Sequence, residues 1–174
     1  MTPPTLHTER LTLTGLAERH FPAKAAFYAS ERSRYVGGPL TEERAWRALA
    51  GEIGHWTLRG YGRFAVELKN TGELVGIVGP WNPHGWPEPE IGWDLMNGFE
   101  GNGYATEAAI ETRRWVYAEK GWTTAISLTA DGNIASAKLA QRVGCIHDGR
   151  FTHEVFGEMD VWRHPSPANL LGAA

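Results

Sequence analysis

The sequence has a single cysteine, Cys145, among 174 residues, so no disulfide can form within the chain. This scarcity favours a reducing compartment. The chain also has no apolar run near the roughly 20 residues that a membrane span needs. Its first residues lack the charged and apolar segments of a signal peptide. Together these absences predict a cytoplasmic protein with no membrane partner.

An excess of basic residues is also absent. The 17 lysines and arginines are outnumbered by 20 aspartates and glutamates, which gives a net charge of −3. Domains that bind nucleic acid usually present a basic face, so we expect no nucleic-acid partner. The seven histidines show no paired spacing of the kind that holds zinc, and we expect no metal site.

The length and composition predict one globular domain, because 42% of the residues are hydrophobic and 21% are charged. We place this domain at residues 1–164. The last ten residues, 165–174, have prolines and small side chains, and we expect this tail to be frayed.

Hydrophobic periodicity and turn residues predict a mixed α/β domain with the order β-α-α-β-β-β-α-β-α-β-β. The predicted strands lie near residues 10–15, 63–68, 73–78, 90–96, 123–129, 146–152 and 155–163, and the helices near 16–30, 41–58, 105–120 and 133–143. Residues 79–89 are rich in proline, glycine and tryptophan and are predicted to form a loop.

The segment from Glu90 to Ala109 holds the most chemical information, since a strand leads through a glycine loop into an amphipathic helix. Unpaired N–H groups at the start of a helix favour an anion such as a pyrophosphate. The candidate binding residues are Gly101, Asn102, Gly103, Tyr104, Ala105 and Thr106. The alternative is that the glycines only make a tight turn.

Two other phosphate-binding loops do not fit this segment. A Walker A loop ends in Gly-Lys-Ser/Thr, which the segment lacks. A dinucleotide fingerprint needs a third glycine or alanine where the chain has Thr106, and an acidic residue near Ile126.

The loop Glu100–Ala105 resembles the pyrophosphate loop of the GNAT N-acetyltransferases, Gln/Arg-x-x-Gly-x-Gly/Ala, at Gly103 and Ala105. It departs from that pattern at Glu100. Further motifs resemble the branch that includes ribosomal-protein-alanine N-acetyltransferases: residues 8–13, 72–76, 90–93, 103–108, Asn133-x-x-Ser136 and Val143-Gly144.

The resemblance implies a GNAT-like fold, with a central, mostly antiparallel sheet in which one parallel strand pair, 90–96 and 123–129, is splayed. Acetyl-CoA would bind between these strands as co-substrate. It also implies transfer of the acetyl group to a primary amine, of a protein N-terminus or a small molecule, by direct attack. A homodimer is a further implication of the family.

The resemblance also assigns roles to side chains and backbone groups. A backbone N–H near Leu95 or Met96 would stabilise the oxyanion, and Asn133 would bind the pantetheine arm. Many family members protonate the leaving thiolate with a tyrosine, but that position is Ala140 here, and the branch implies Ser136 instead. The structural alternatives are a helix N-cap for Asn133 and simple packing for Ser136.

Glu90 and Asp94 lie on one face of their predicted strand and are the main candidates for the general base, with Glu88 in the preceding loop as a further one. An amine with a pKa near that of an α-amino group loses its proton readily, so a dedicated base is not obligatory. Lys138 and Arg142 either contact the coenzyme's 3′-phosphate or form a solvated helix face. Cys145 is interpreted as a packing residue.

Acceptor contacts are expected from aromatic and acidic residues near the splay, namely Tyr35, Trp81, His84, Trp86, Glu88 and Phe99. Such a set suits a cationic amine; the alternative is that these residues only pack the loop. A second hypothesis for the whole chain is a non-catalytic acyl-CoA-binding or assembly module, motivated by Glu100 and Ala140.

Overall fold

The computed structural model describes residues 2–171 of the chain. The strands are β1 (Leu6–His7), β2 (Leu11–Gly15), β3 (Phe64–Leu68), β4 (Leu74–Trp81), β5 (Glu90–Leu95), β6 (Ile126–Ala130), β7 (Ile146–His153) and β8 (Gly157–Arg163). The helices are α1 (Phe21–Ala29), α2 (Glu42–Arg59), α3 (Tyr104–Glu119), α4 (Ile134–Arg142) and α5 (Pro167–Leu171), with two 3-10 turns at Glu18–His20 and Glu31–Val36.

All eight strands form one sheet in the order β1-β2-β3-β4-β5-β6-β8-β7. Every neighbouring pair is antiparallel except β5 and β6, which are parallel. That parallel pair is in register at a single position, Glu90 opposite Ile126. The strands therefore separate beyond this point, and the predicted mixed sheet with one splayed parallel pair is confirmed.

The two faces of the sheet pack against different helices because strand side chains alternate. Phe64, Val66 and Val78 belong to the cluster that includes α3 residues. Ala65 and Ile77 point the opposite way and join the cluster that includes α1 and α2 residues. Helices thus cover both faces of the sheet. The gap between β5 and β6 lies within the sheet, between these two layers of helices.

Strand β4 is longer than the sequence predicts, since residues 79–81 continue it and pair with residues 90–92 of β5. Proline is disfavoured inside a sheet because it cannot donate to a neighbouring strand. Pro80 lies past the last residue that β3 pairs, Phe64 opposite Val78, so no hydrogen bond to β3 is lost. This extension places Trp81 beside the site.

Two other features also differ from the sequence prediction. The helix expected over residues 16–30 is a 3-10 turn followed by α1, whose second residue is Pro22. The short strand β1 was not predicted.

Residues 167–171 of the predicted tail form the short helix α5, and Tyr117 donates a hydrogen bond to the Pro165 carbonyl at 2.9 Å. Whether the tail frays stays a prediction, and residues 172–174 lie outside the described part of the chain. None of the helices found in residues 2–171 combines the length and the apolar character that crossing a bilayer requires.

Candidate active site

The N-terminus of α3 forms one end of a long groove beside the splay. Gly101 and Gly103 have φ values of +77° and +80°, a region that favours glycine. Gly103 is the N-cap residue of α3. Because glycine has no side chain, it cannot accept a hydrogen bond from the N–H groups that follow. Helix geometry leaves the first of these N–H groups without intrahelical acceptors. Amide donors are therefore open where the sequence predicts an anion, and the binding of an anion there stays a prediction.

A set of hydrogen bonds around an ion pair holds this loop against the start of the sheet. The Glu107 carboxylate accepts hydrogen bonds from the Thr8 hydroxyl at 2.5 Å, the Arg10 backbone at 2.9 Å and Arg10 Nε at 2.7 Å. Arg10 Nη1 then donates to the Asn102 carbonyl at 2.9 Å. Burial alone would raise the pKa of Glu107, but these donors outweigh it and hold the pKa below its ordinary value.

Glu100, which departs from the family pattern, is paired with Arg32 at 2.6 Å. This pairing balances the negative charge that would otherwise oppose a pyrophosphate. Arg142 Nη1 lies 3.4 Å from Thr106 Oγ1, so this cation also reaches the loop. Lys138, one turn earlier on α4, lines the same groove.

The groove, with a volume of about 470 Å³, runs from this loop toward the splay. We call it the long groove; its lining includes Arg32, Leu95, Gly101, Ala105, Ser136 and Arg142. An inner cavity of about 300 Å³ lies on the α1–α2 side, lined by residues that include Tyr28, Glu52, Trp81, Trp86, Glu90 and Phe156. The two spaces meet at Tyr35, Val36, Trp93, Asp94, Asn133 and Ser136, which line both.

Where β5 and β6 separate, their backbones no longer bond to each other, and side chains make hydrogen bonds across the gap instead. Leu128 N donates to Glu90 Oε1 at 3.1 Å, and Ser127 Oγ donates to the Ile91 carbonyl at 2.7 Å. Since the Ser127 proton is used in this way, His164 Nε2 must donate to Ser127 Oγ across their 2.9 Å contact. These hydrogen bonds of Glu90, Ser127 and His164 therefore hold the gap between β5 and β6 in a defined geometry.

Backbone alternation identifies which N–H faces the splay. Met96 N donates to the Val75 carbonyl at 3.0 Å, so this N–H is not free to stabilise an oxyanion. In an antiparallel pair the donors alternate between the two sides of a strand. The N–H of Leu95, opposite Gly76, therefore points toward β6 and the long groove. Of the two predicted donors, only Leu95 has a suitable geometry.

Ser136 lies where the two spaces meet and accepts a hydrogen bond from Trp93 Nε1 at 2.9 Å. Its backbone N–H donates to Asn133 Oδ1 at 3.3 Å, so Asn133 is the N-cap of α4. Because Asn133 also lines both spaces, the capping role does not remove its side chain from the site. The hydroxyl proton of Ser136 is directed by the Trp93 donor toward other acceptors.

The two candidate bases have different partners. Glu90 is buried and accepts from Trp86 Nε1 at 2.5 Å and from the Leu128 backbone. Burial raises the pKa of Glu90, and these donors oppose the shift without cancelling it. Asp94 is bound to Arg63 Nη2 at 2.6 Å. Of the two candidate bases, Asp94 is thus paired with a buried cation, whereas the hydrogen-bond donors to Glu90 are neutral.

Arg63 belongs to a buried ionic chain that sequence analysis did not identify. Glu52 accepts from Lys24 Nζ and lies 3.7 Å from Arg63 Nη1, so Lys24, Glu52, Arg63 and Asp94 alternate in sign. Burial would raise the pKa of Glu52, but the two cations outweigh it and lower the pKa. The sign of this ionic chain in the sequence is that charged residues interrupt otherwise apolar segments.

The predicted acceptor residues are not all brought together. Tyr35, Trp81 and Trp86 line the inner cavity. Glu88 instead forms a two-point ion pair with Arg163, at 2.5 and 2.8 Å, and does not line the cavity. Phe99 packs against the core clusters, and His84 is exposed on the loop. The geometry gives these last three no contact with an acceptor.

Two further predicted features have a clear location. Cys145 is buried in the core cluster, and burial raises its thiol pKa to about 12, which disfavours a nucleophilic thiolate. Among residues 2–171, no three His, Cys, Asp or Glu side chains are grouped as metal ligands. The prediction that no metal is needed stays a prediction.

Comparison with known proteins identifies related sequences and folds. Residues 10–146 match the acetyltransferase (GNAT) domain family. An acetyltransferase from Agrobacterium tumefaciens is 37% identical, with a TM-score of 0.87 over 95% of this chain and 96% of that chain.

Two more distant structures show similarity in fold alone. A ribosomal-protein-alanine acetyltransferase from Vibrio fischeri is 16% identical, with a TM-score of 0.71 over 96% of this chain and 99% of that one. A ribosomal α-N-protein acetyltransferase in complex with coenzyme A is 18% identical, with a TM-score of 0.72 over 95% and 99%. At these identities the particular branch remains a resemblance.

Proposed function

The chain belongs to the acetyltransferase (GNAT) family, and from this premise we propose that it moves the acetyl group of acetyl-CoA to a primary amine by direct attack. The observation that carries the proposal is the meeting of the two spaces. The long groove begins at the free N–H groups of α3 and ends at Ser136, where the inner cavity with Glu90 begins. Donor and acceptor would therefore enter from opposite sides.

The residues of the long groove suit the coenzyme. The first N–H groups of α3 would bind the pyrophosphate, since helix N-termini favour anions. Arg142 would add a positive charge beside Thr106, and the pairing of Glu100 with Arg32 reduces repulsion. Acetyl-CoA supplies an acetyl group that is activated as a thioester.

The reaction then needs three groups around the thioester carbonyl. Glu90 would accept a proton from the bound ammonium, so that the nitrogen lone pair can form the N–C bond. The N–H of Leu95 would stabilise the oxyanion. Ser136 would donate its hydroxyl proton to the thiolate as the C–S bond breaks. The nitrogen, which has already lost one proton to Glu90, would then give a second proton to the Ser136 oxygen and restore the hydroxyl. One proton is released to solvent through Glu90, which balances the reaction.

Release of free thiol from acetyl-CoA, measured with a panel of amines, tests this proposal. The panel should include a peptide with a free N-terminus, an aminoglycoside, a polyamine and a simple alkylamine. Acetylated product identified by mass spectrometry is the expected result. Saturable binding of coenzyme A without turnover on any amine would contradict it and would favour the non-catalytic binding module.

A further inference from the structure

The lining of the inner cavity is more aromatic than acetyl transfer requires. Rings of Tyr28, Trp81, Trp86 and Phe156 line it. Trp81 stacks on His55 with ring centroids 4.4 Å apart, and Trp86 lies edge-on to Phe156 at 5.8 Å. Each of these rings packs on another aromatic ring, so the walls are ordered before a ligand enters.

Of the three carboxylates that line this cavity, Glu90 alone has no ion-pair partner among residues 2–171. Lys24 and Arg63 balance Glu52 and Asp94 within the buried chain, whose side chains are at most 11% exposed. Glu90 has neutral donors, the Trp86 indole and the Leu128 backbone. A single positive charge brought by a ligand would complete the balance. A ligand with several charges would place the others where no further unpaired carboxylate lines the cavity.

Two contacts narrow the cavity on its outer side. The Tyr35 hydroxyl donates to the Gly132 carbonyl at 3.1 Å and joins the 3-10 turn to the β6–α4 connection. The Phe156 ring packs on Gly37, where an added Cβ would lie 3.2 Å from Phe156 Cε1. Tyr35 and Phe156 also line a third, outer groove that includes Asp131 and Val155, so these contacts lie between the cavity and that groove. A long acceptor would have to pass them.

The size of the cavity limits the part of the acceptor that can lie inside it. At about 300 Å³ the cavity is at the small end of the usual range for ligand sites. One aromatic ring with a short aminoalkyl arm would fill such a space, whereas a peptide of several residues would extend out of it.

We propose that the acceptor is a compact monoamine with an aromatic body, of the arylalkylamine class, and not a peptide N-terminus. Its ring would lie between Trp81, Trp86 and Phe156, and its ammonium would meet Glu90. Trp86 is at once part of the wall and a donor to Glu90, so recognition of the ring positions the base. Aromatic faces also attract the cation before it loses its proton. This inference rests on the proposed acetyl transfer.

The test compares kcat/KM for 2-phenylethylamine, ethylamine, spermidine and a trialanine peptide under one set of conditions, with thiol release as the readout. The inference predicts that 2-phenylethylamine exceeds each of the others by at least ~10-fold, which is the lower end of discrimination by an apolar pocket. Acetylation of the peptide in preference to 2-phenylethylamine would overturn the inference and leave acetyl transfer standing. Turnover of none of the amines would contradict the proposed function itself.

A pair of phenylalanine variants tests the wall directly. Phe156→Ala should lower kcat/KM for 2-phenylethylamine and raise it for the peptide, because the outer closure is lost. Phe151→Ala is the matched control, since Phe151 packs on the same cluster without lining the cavity. Thermal melts establish that both variants fold. Equal effects of the two variants on every amine would contradict the assigned wall, and the wild-type panel decides the inference if Phe156→Ala does not fold.

Discussion

Ser136 and Trp93 share a hydrogen bond at the position where the two spaces meet, and this bond decides what the serine can do. Trp93 Nε1 occupies one acceptor site of the Ser136 oxygen at 2.9 Å. The hydroxyl proton must then point elsewhere, and the adjoining long groove is where a thiolate would form. Ala140, at the position where many relatives have tyrosine, is fully buried in the core and cannot contribute.

Replacing the proposed acid gives the first prediction. Ser136→Ala should lower kcat by about 10²-fold with little change in KM for the amine, since a general acid acts on the transition state. Trp93→Phe keeps an aromatic side chain but removes the N–H that donates to Ser136, so a smaller loss of kcat is expected. Steady-state thiol release measures both. Unchanged kcat in Ser136→Ala would exclude an acid role for this residue.

Glu90 gives a prediction about pH. Burial raises the pKa of this carboxyl, so the wild type should lose activity as pH falls through that raised value. Glu90→Gln cannot accept the proton, and a loss of ~10²–10⁴-fold is expected at neutral pH. At a pH above the amine's own pKa the acceptor arrives neutral, and the deficit should shrink. A deficit that is constant with pH would indicate a structural role.

At the residue scale, sequence patterns identified the groups that belong to contiguous motifs and missed those that depend on long-range packing. Asn133 and Ser136 follow from the family resemblance, because they belong to one contiguous motif, Asn133-x-x-Ser136. Arg63 contacts Asp94, which lies 31 positions later on another strand. No local pattern predicts such a pair, since it exists only once β3, β4 and β5 are aligned.

The element that most defines the site is the junction between β5 and α3. Its glycines take positive φ, and the Arg10–Glu107 tie fixes it to the start of β2. The sequence predicted this strand–loop–helix unit because its glycines and apolar periodicity are local. It did not predict that β4 extends to Trp81, because Pro80 ordinarily ends a strand and its tolerance depends on where β3 stops.

Substituting Gly103 tests the loop. Alanine at φ +80° adopts the left-handed region at a cost of about 1–2 kcal/mol. Gly103→Ala should therefore lower the free energy of unfolding and weaken coenzyme A binding. Gly54→Ala is the control: this glycine lies within α2, a Cβ there meets nothing within 4 Å, and helix propensity predicts a gain of ~0.5–1 kcal/mol.

Urea denaturation and calorimetric titration provide the two measurements for this pair of variants. If Gly103→Ala bound coenzyme A as tightly as the wild type, the loop would not hold the pyrophosphate.

For the whole molecule, a buried neutral histidine links stability to pH. His164 is 2% exposed and contacts Ser127 and Arg113. Burial, reinforced by the nearby cations Arg113 and Arg163, lowers its pKa to about 3. The unfolded chain, with a pKa near 6.5, binds one more proton below neutral pH. Stability is therefore complete above pH 6.5 and decreases as pH falls.

The variant His164→Gln tests this linkage, because glutamine still donates an N–H and does not titrate. Between pH 7 and pH 5, the wild type should lose about 2 kcal/mol more unfolding free energy than this variant. The exposed His84→Gln serves as the control and should follow the wild type. Parallel curves for wild type and His164→Gln would contradict the burial of a neutral imidazole.

The central claim is that free amides at the start of α3 bind the pyrophosphate of acetyl-CoA and so direct its thioester to the splay. Isothermal titration with acetyl-CoA and with S-acetyl-pantetheine, which lacks the pyrophosphate and the nucleotide, tests it most directly. The account predicts saturable one-to-one binding of acetyl-CoA. S-acetyl-pantetheine should bind at least ~100-fold more weakly, since two charge-assisted hydrogen bonds at ~1.5 kcal/mol each are lost. Equal affinities for the two ligands, or no saturable heat with acetyl-CoA, would contradict the claim.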